Sequence, residues 1–190
     1  MRDQITAVKI PHSLWKALYI AGGAAAILAV LFFRRNTAVE LVTFKGFGIF
    51  DVPKTWPVSA VDWFALLQAN KIIGLILLGL IDLINYALVG LIFLALFGAL
   101  HGSNKGAMAA AMILGFVGIV VFFVSNQAFA LLTLSDRYAA AATEAERVTI
   151  LAAGESRLAI DNPGALAQGM GSYLSLFLLL LSGLIISIVM

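Results

Sequence analysis

The stretch Lys71–Leu134, KIIGLILLGLIDLINYALVGLIFLALFGALHGSNKGAMAAAMILGFVGIVVFFVSNQAFALLTL, decides the fold. Ile72 to Leu100 holds no Lys, Arg or Glu and one carboxylate, Asp82, while Ala107 to Leu134 holds no charge at all. Each run exceeds the roughly 18–20 apolar residues that cross a bilayer. Lipid offers no partner to an exposed peptide group, so segments this apolar must satisfy their own N–H and C=O groups as helices. The short polar hinge His101–Gly106 then makes the two helices antiparallel neighbours.

The polar residues inside this hairpin are its most informative feature. Asp82 lies 19 positions before His101 and Asn126 lies 20 after Gly106, so at about 1.5 Å per residue the two fall at similar height. Asp82, Asn85 and Tyr86 share one helix face through their i, i+3, i+4 spacing, with Gly79 one turn away. Ser125, Asn126 and Gln127 supply donors and acceptors from the second helix. A carboxylate embedded in hydrocarbon costs about 2.5 kcal/mol or more unless protonated, paired or hydrated. Asp82 therefore reads either as a proton or cation site, its acidity altered by desolvation, or as interhelical glue against Asn126 or Gln127 worth about 0.6 kcal/mol. The glue reading carries more weight, because transport sites are usually built from several ionisable groups.

Working outward, composition agrees with the hairpin. Of 190 residues, 62% are hydrophobic and 12% charged, too apolar for a polar-surfaced domain, so the class is all-α, a polytopic transmembrane helical bundle. Net charge is +2 with scattered cations, unlike the clustered basic stripe of a nucleic-acid binder, and nucleic acid is set aside as a partner. The chain has no cysteine, which excludes disulfides, thiolate nucleophiles and cysteine-ligated metal centres.

Four spans are expected, over residues 14–33, 72–100, 107–134 and 173–190, within a single integral membrane domain, 1–190. The first carries the small run Gly22-Gly23-Ala24-Ala25-Ala26, suited to close helix approach. It ends in Phe32-Phe33-Arg34-Arg35 rather than a small-residue cleavage site, and reads as a retained anchor. Trp15 and Tyr19 suit an interfacial belt. In the extramembrane region 36–70, Thr43–Phe50 is aromatic-rich. Gly46 and Gly48 there read as turn glycines rather than a dinucleotide loop. Ser59-Ala-Val-Asp62 opens a short helix expected to lie on the membrane surface through Trp63, Phe64 and Leu67. In the region 135–171, Thr143-Glu-Ala-Glu146 is a capping box for a helix running to about Ile160, stopped by Asn162-Pro163-Gly164. Its expected apolar stripe is Val148, Leu151, Ala152, Leu158 and Ala159, with Glu144, Glu155, Arg147 and Arg157 solvated. The last span ends without a basic stop, as a truncated sequence would.

From Ile72 onward the chain resembles a bacterial and archaeal family of polytopic membrane proteins catalogued only as a domain of unknown function. The residues that carry the resemblance are Leu80-Ile-Asp-Leu-Ile-Asn-Tyr86, Leu134-Ser-Asp-Arg-Tyr138, Thr143-Glu-Ala-Glu-Arg147 and Ala152-Ala-Gly-Glu155. The resemblance implies a prokaryotic plasma membrane protein, typically of six spans with a cytoplasmic N-terminus. The last two of those spans are not in this sequence. Charge argues the other way: a cytoplasmic N-terminus puts Arg2, Lys9, Lys16 and Lys105 inside, against Arg34, Arg35, Lys45, Lys54, Lys71, Arg137, Arg147 and Arg157 outside. The resemblance decides for N-terminus inside. It implies no activity.

No catalytic residue and no cofactor is assigned. His12 and His101 are the only histidines, with no H-x-x-x-H or H-E-x-x-H, so no metal site is expected. If the spans alternate, both lie on one membrane face, which leaves open a single tetrapyrrole or metal ligand pair. Interfacial histidines more often bond backbone or headgroups. No G-x-S-x-G elbow supports a hydrolase. Three functions remain. The preferred one is a non-catalytic accessory or structural subunit, docking other integral membrane subunits through small residues such as Gly22, Gly23, Ala107, Ala111 and Gly115. The others are a small proton- or cation-coupled transporter using Asp82, with Asn85, Tyr86, Asn126 and Gln127 around it, and a ligand- or lipid-sensing module in which the two extramembrane regions form a cap above the hairpin.

Overall fold

The computed structural model describes residues 12–32, 55–165 and 170–190, and every described element is helical. Eight helices follow in order: α1 His12–Phe32, α2 Ala60–Ala69, α3 Lys71–Leu77, α4 Leu80–Leu100, α5 Lys105–Ser125, α6 Ala128–Ala140, α7 Glu144–Leu158 and α8 Gly171–Val189. The aromatic run Thr43–Phe50 with Gly46 and Gly48 lies outside the described residues, as do Arg34, Arg35, Lys45 and Lys54.

The two long helices expected over 72–100 and 107–134 are each broken, and this is the main correction to the sequence reading. The first divides into α3 and α4 at Gly79, whose φ of 92° lies in the left-handed region that favours glycine. Gly79 N–H bonds back to Ile76 C=O at 3.0 Å, closing α3 with the left-handed glycine that ends many helices. The second divides into α5 and α6 at Asn126-Gln127. These residues turn out of helical geometry because an Asn side chain competes for backbone partners: Asn126 Oδ1 accepts from Ala128 N–H at 3.1 Å.

The breaks sort the helices into two layers. Helices α1, α4, α5 and α8 form a bundle, and α2, α3, α6 and α7 form a cap on one end of it. Helices α1, α4, α5 and α8 have 21, 21, 21 and 19 residues, about 30 Å each, the thickness of a bilayer's hydrocarbon core. Three helical stretches are long and apolar enough to cross a membrane: Leu80–Leu100, Lys105–Ala140 taken as one, and Gly171–Val189. The apolar part of α1 whose side chains are described, Trp15–Ala29, is shorter.

Antiparallel packing in the bundle is set by small residues. Ser175 Oγ donates to Gly118 C=O and Ser182 Oγ to Ala111 C=O, each at 2.7 Å, with both serines fully buried. Seven residues separate the members of each pair of positions, so two turns of α5 and two of α8 run side by side in register. Polar groups buried between apolar helices hold this register more than they add to its energy, at about 0.6 kcal/mol apiece. Against α4, α5 presents Met108, Ile119 and Phe122, which join Tyr86, Phe93 and Ile186 in one core. On the other side of α4, α1 packs with Gly22 against Ala95 and Leu91 C=O, and Trp15 against Gly98. Trp15 also stacks on His101 with ring centroids 5.8 Å apart. The start of α1 and the hinge therefore share one end of the bundle, as alternating spans require.

The cap has its own core of Ala60, Trp63, Phe64, Leu67, Leu78, Ala128, Leu131 and Leu158. Helix α2, expected along a membrane surface, instead buries Trp63, Phe64 and Leu67 inside the protein. The expected N-cap is present, with Ser59 Oγ accepting from Asp62 N–H at 3.3 Å, and so is the Thr143–Glu146 capping box of α7. The stripe on α7 is different from the expected one. Gly154 and Leu158 are buried and Leu151 half-buried, while Val148, Ala152 and Ala159 are exposed. The physical reason is Gly154, where a Cβ would lie 2.8 Å from both Ala60 Cβ and Phe64 Cζ, so the bare backbone sets the contact face. Next to it Glu155, expected to be solvated, accepts Ala60 N–H at 2.7 Å and caps α2 across the cap, a charge-assisted bond at the positive end of a helix.

Candidate functional site

The layer where the cap meets the bundle is a seam, and Asn126 stitches it. Its Nδ2 donates to Leu78 C=O at 3.1 Å while its Oδ1 holds Ala128 N–H. One carboxamide thus satisfies a carbonyl at the end of α3 and an amide at the start of α6. Gln127 Nε2 donates to Ser125 C=O at 2.6 Å and closes the end of α5. Interrupted backbone at this apolar level needs protein around it. Leu78, Gly79, Ser125, Gln127 and Ala128 are all buried.

The seam gathers most of the polar residues singled out from sequence, but at helix ends rather than mid-helix. Asp82 lies in the first turn of α4, and its Oδ2 is 3.4 Å from where a Cβ on Gly79 would stand. A carboxylate is favoured there by the free N–H groups of the turn. Its equal height with Asn126 is met, since Asn126 reaches the backbone one turn before it. Tyr86 turns toward α5 and stacks on Phe122, centroids 3.8 Å apart and planes 8° from parallel. Asn85 is fully buried on α4, with no hydrogen-bond partner for either side-chain polar atom.

The small residues separate into those used within the chain and those left open. Ala111 and Gly115 pack against α8, and Gly115 also against Phe93. Gly22 packs on α4, whereas nothing lies within 4 Å of a Cβ on Gly23. Ala107 lines a groove with Ile185, Ile188 and Val189 at the hinge end. The side chain of His12 is outside the description. That of His101 has Nδ1 3.0 Å from both Phe97 C=O and Gly98 C=O. Among the described residues no group of three His, Asp or Glu side chains is placed to hold a metal ion.

Several functional-looking residues of the cap were missed as contacts in the sequence. Ser135 Oγ donates to Phe64 C=O at 3.2 Å and accepts from Gln68 Nε2 at 2.9 Å. Lys71 pairs with Asp136 at 2.8 Å. Asn162 Nδ2 donates to Val58 C=O at 2.8 Å, tying the loop after α7 to the start of α2. The Leu134–Tyr138 and Ala152–Glu155 segments supply contacts that assemble the cap. No family model, curated protein or solved structure matches the chain.

Proposed function

We propose that the chain is a non-catalytic, four-span integral membrane protein of a prokaryotic plasma membrane that works as a binding module, with the seam between cap and bundle as its site. In this reading α1 is the fourth span and the bundle lies in the bilayer. Its membrane boundary runs through the seam. The N-terminus and the hinge face the cytoplasm and the cap faces outward, the orientation that the resemblance to the uncharacterised family implies.

The observation that carries the reading is the paired break. A purely structural hairpin has no need to interrupt two apolar helices at one level, exposing helix-end N–H and C=O groups that must then find partners. Helix ends that converge bring N–H and C=O groups together where side chains, water or a polar ligand can meet them. The docking-subunit reading loses part of its support, because Ala111, Gly115 and Gly22 are occupied within the chain. The carrier reading rests on Asp82, and a place in the first turn of α4 accounts for that residue as a helix-end group.

Gentle detergent extraction from native membranes, followed by size analysis, separates these readings. The module is expected to migrate as this chain alone or as a homo-oligomer. A second membrane protein co-migrating in fixed stoichiometry would contradict the proposal and restore the docking-subunit function.

A further inference from the structure

The serine contacts that hold α8 on α5 repeat every seven residues, Ser175 on Gly118 and Ser182 on Ala111. One more step of seven sets Val189 opposite Asn104, the residue that caps α5. At that step the two helices leave a cleft of about 300 Å³, lined by Ser103, Asn104, Ala107, Ile185, Ile188 and Val189. Its wall is apolar and its lip is polar, with Ser103 and Asn104 on the exposed hinge. Asn104 Oδ1 accepts from Ala107 N–H at 3.0 Å, which leaves the NH₂ of that amide to donate. Lys105, the next residue, is exposed. The lip therefore offers hydrogen-bond donors and a positive charge.

The level of this cleft in a bilayer is marked independently. Trp15 stacks on His101 and Tyr19, with ring centroids 5.8 and 6.2 Å apart, so aromatic side chains of the kind that sit among headgroups lie at the hinge end. The charged side chains described at this end, Lys16 and Lys105, are both positive and exposed. The cleft thus repeats the profile of a membrane leaflet, apolar inward and polar at the surface. We propose that it binds one anionic phospholipid, with an acyl chain along Ala107, Ile185 and Ile188 and the phosphate at Ser103, Asn104 and Lys105. A partner helix, about 10 Å across, is too wide for a cleft of this size, whereas a single acyl chain is not. The proposal rests on the bundle lying in the bilayer with the hinge at its surface, and does not involve the seam.

The test places the full chain in vesicles of equal phosphatidylglycerol and phosphatidylcholine, extracts it in an uncharged detergent and counts the co-purified lipid by mass spectrometry. About one phosphatidylglycerol per chain is expected to survive washing that removes phosphatidylcholine. Lys105→Gln is expected to weaken retention about fivefold. Ala107→Phe, which fills the cleft, is expected to abolish retention while circular dichroism matches the parent. Equal loss of the two lipids overturns the proposal, and so does unchanged retention in Lys105→Gln or in a folded Ala107→Phe. Should Ala107→Phe not fold, Lys105→Gln at its exposed position decides alone. Failure of the membrane reading looks different, because the chain would then leave native membranes in alkaline carbonate without detergent. That result overturns both, whereas lipid loss from a chain that still needs detergent overturns the site alone.

Discussion

Gly118→Leu is expected to unseat α8 from α5, with a loss of about 3 kcal/mol, the upper part of the range for overpacking a close contact. A Cβ at position 118 already lies 3.1 Å from Ser175 C=O, 3.2 Å from Leu178 Cβ and 3.3 Å from Leu179 Cγ. The first of these is backbone, which cannot rotate away. Three further carbons have no room unless the helices part, and parting breaks the Ser175 bond to Gly118 and the Ser182 bond to Ala111 together. The internal control is Gly183→Leu on α8, where nothing lies within 4 Å of an added Cβ. That change is expected to stay within about 0.5 kcal/mol. Unfolding in mixed micelles followed by circular dichroism reads both. Equal effects at 118 and 183 would mean that α5 and α8 do not meet along this face.

Gly79→Val attacks the seam, and its expected loss is also about 3 kcal/mol, assembled from two sources. A β-branched residue is strained at φ of 92°. In addition, its Cβ would stand 2.9 Å from Asn126 Nδ2 and displace the amide that bonds Leu78 C=O. Gly79→Asn separates the two, since asparagine tolerates the left-handed region but carries the same Cβ. Its loss is expected to be roughly half that of valine. Fluorescence of Trp56 and Trp63 reports the cap, because both indoles lie in or against its core. A valine variant as stable as the parent would mean that the helix is continuous through position 79.

Helix content, the antiparallel hairpin, one N-cap and one capping box are legible in the sequence because each rests on a local rule. Apolar length fixed the hairpin, and the Thr143–Glu146 and Ser59–Asp62 spacings fixed two helix starts. The breaks were legible too, but in a different vocabulary. Gly79 was read as a small residue near Asp82, when a glycine closing an apolar helical run is also a stop signal. Asn126 was read as a donor to Asp82, when an Asn inside such a run also competes for backbone. Hydropathy could not show either break, because both halves of each run are equally apolar whether lipid or a protein core covers them. That is also why α2 was expected on a membrane surface, although Trp63, Phe64 and Leu67 meet α6 and α7.

The candidate site was legible as a set of residues and not as a geometry. Asp82 and Asn126 both lie against Gly79. What periodicity could not give was that this level ends the bundle, or that Asn85 alone of the group is buried with no partner. The long-range cap that Glu155 places on Ala60 joins positions 95 residues apart. A helical wheel of α7 puts Glu155 on a polar face and carries no sign of its partner. Ser135 and Asn162 were invisible for the same reason, since each is read from a contact with a distant backbone carbonyl.

The most direct test of the central claim, that the paired breaks end the membrane-crossing bundle, is a spin-label depth measurement along α5 and α6 in lipid vesicles. The chain has no native cysteine, so single cysteines report cleanly. Val117 and Val124 on α5 and Thr133 on α6 are exposed positions whose labels stay on the outer surface. High oxygen accessibility is expected at 117, a fall toward the boundary at 124, and collision with a water-soluble nickel complex at 133. Oxygen accessibility at 133 equal to that at 117 would contradict the claim, and would return residues 107–134 to a single uninterrupted span.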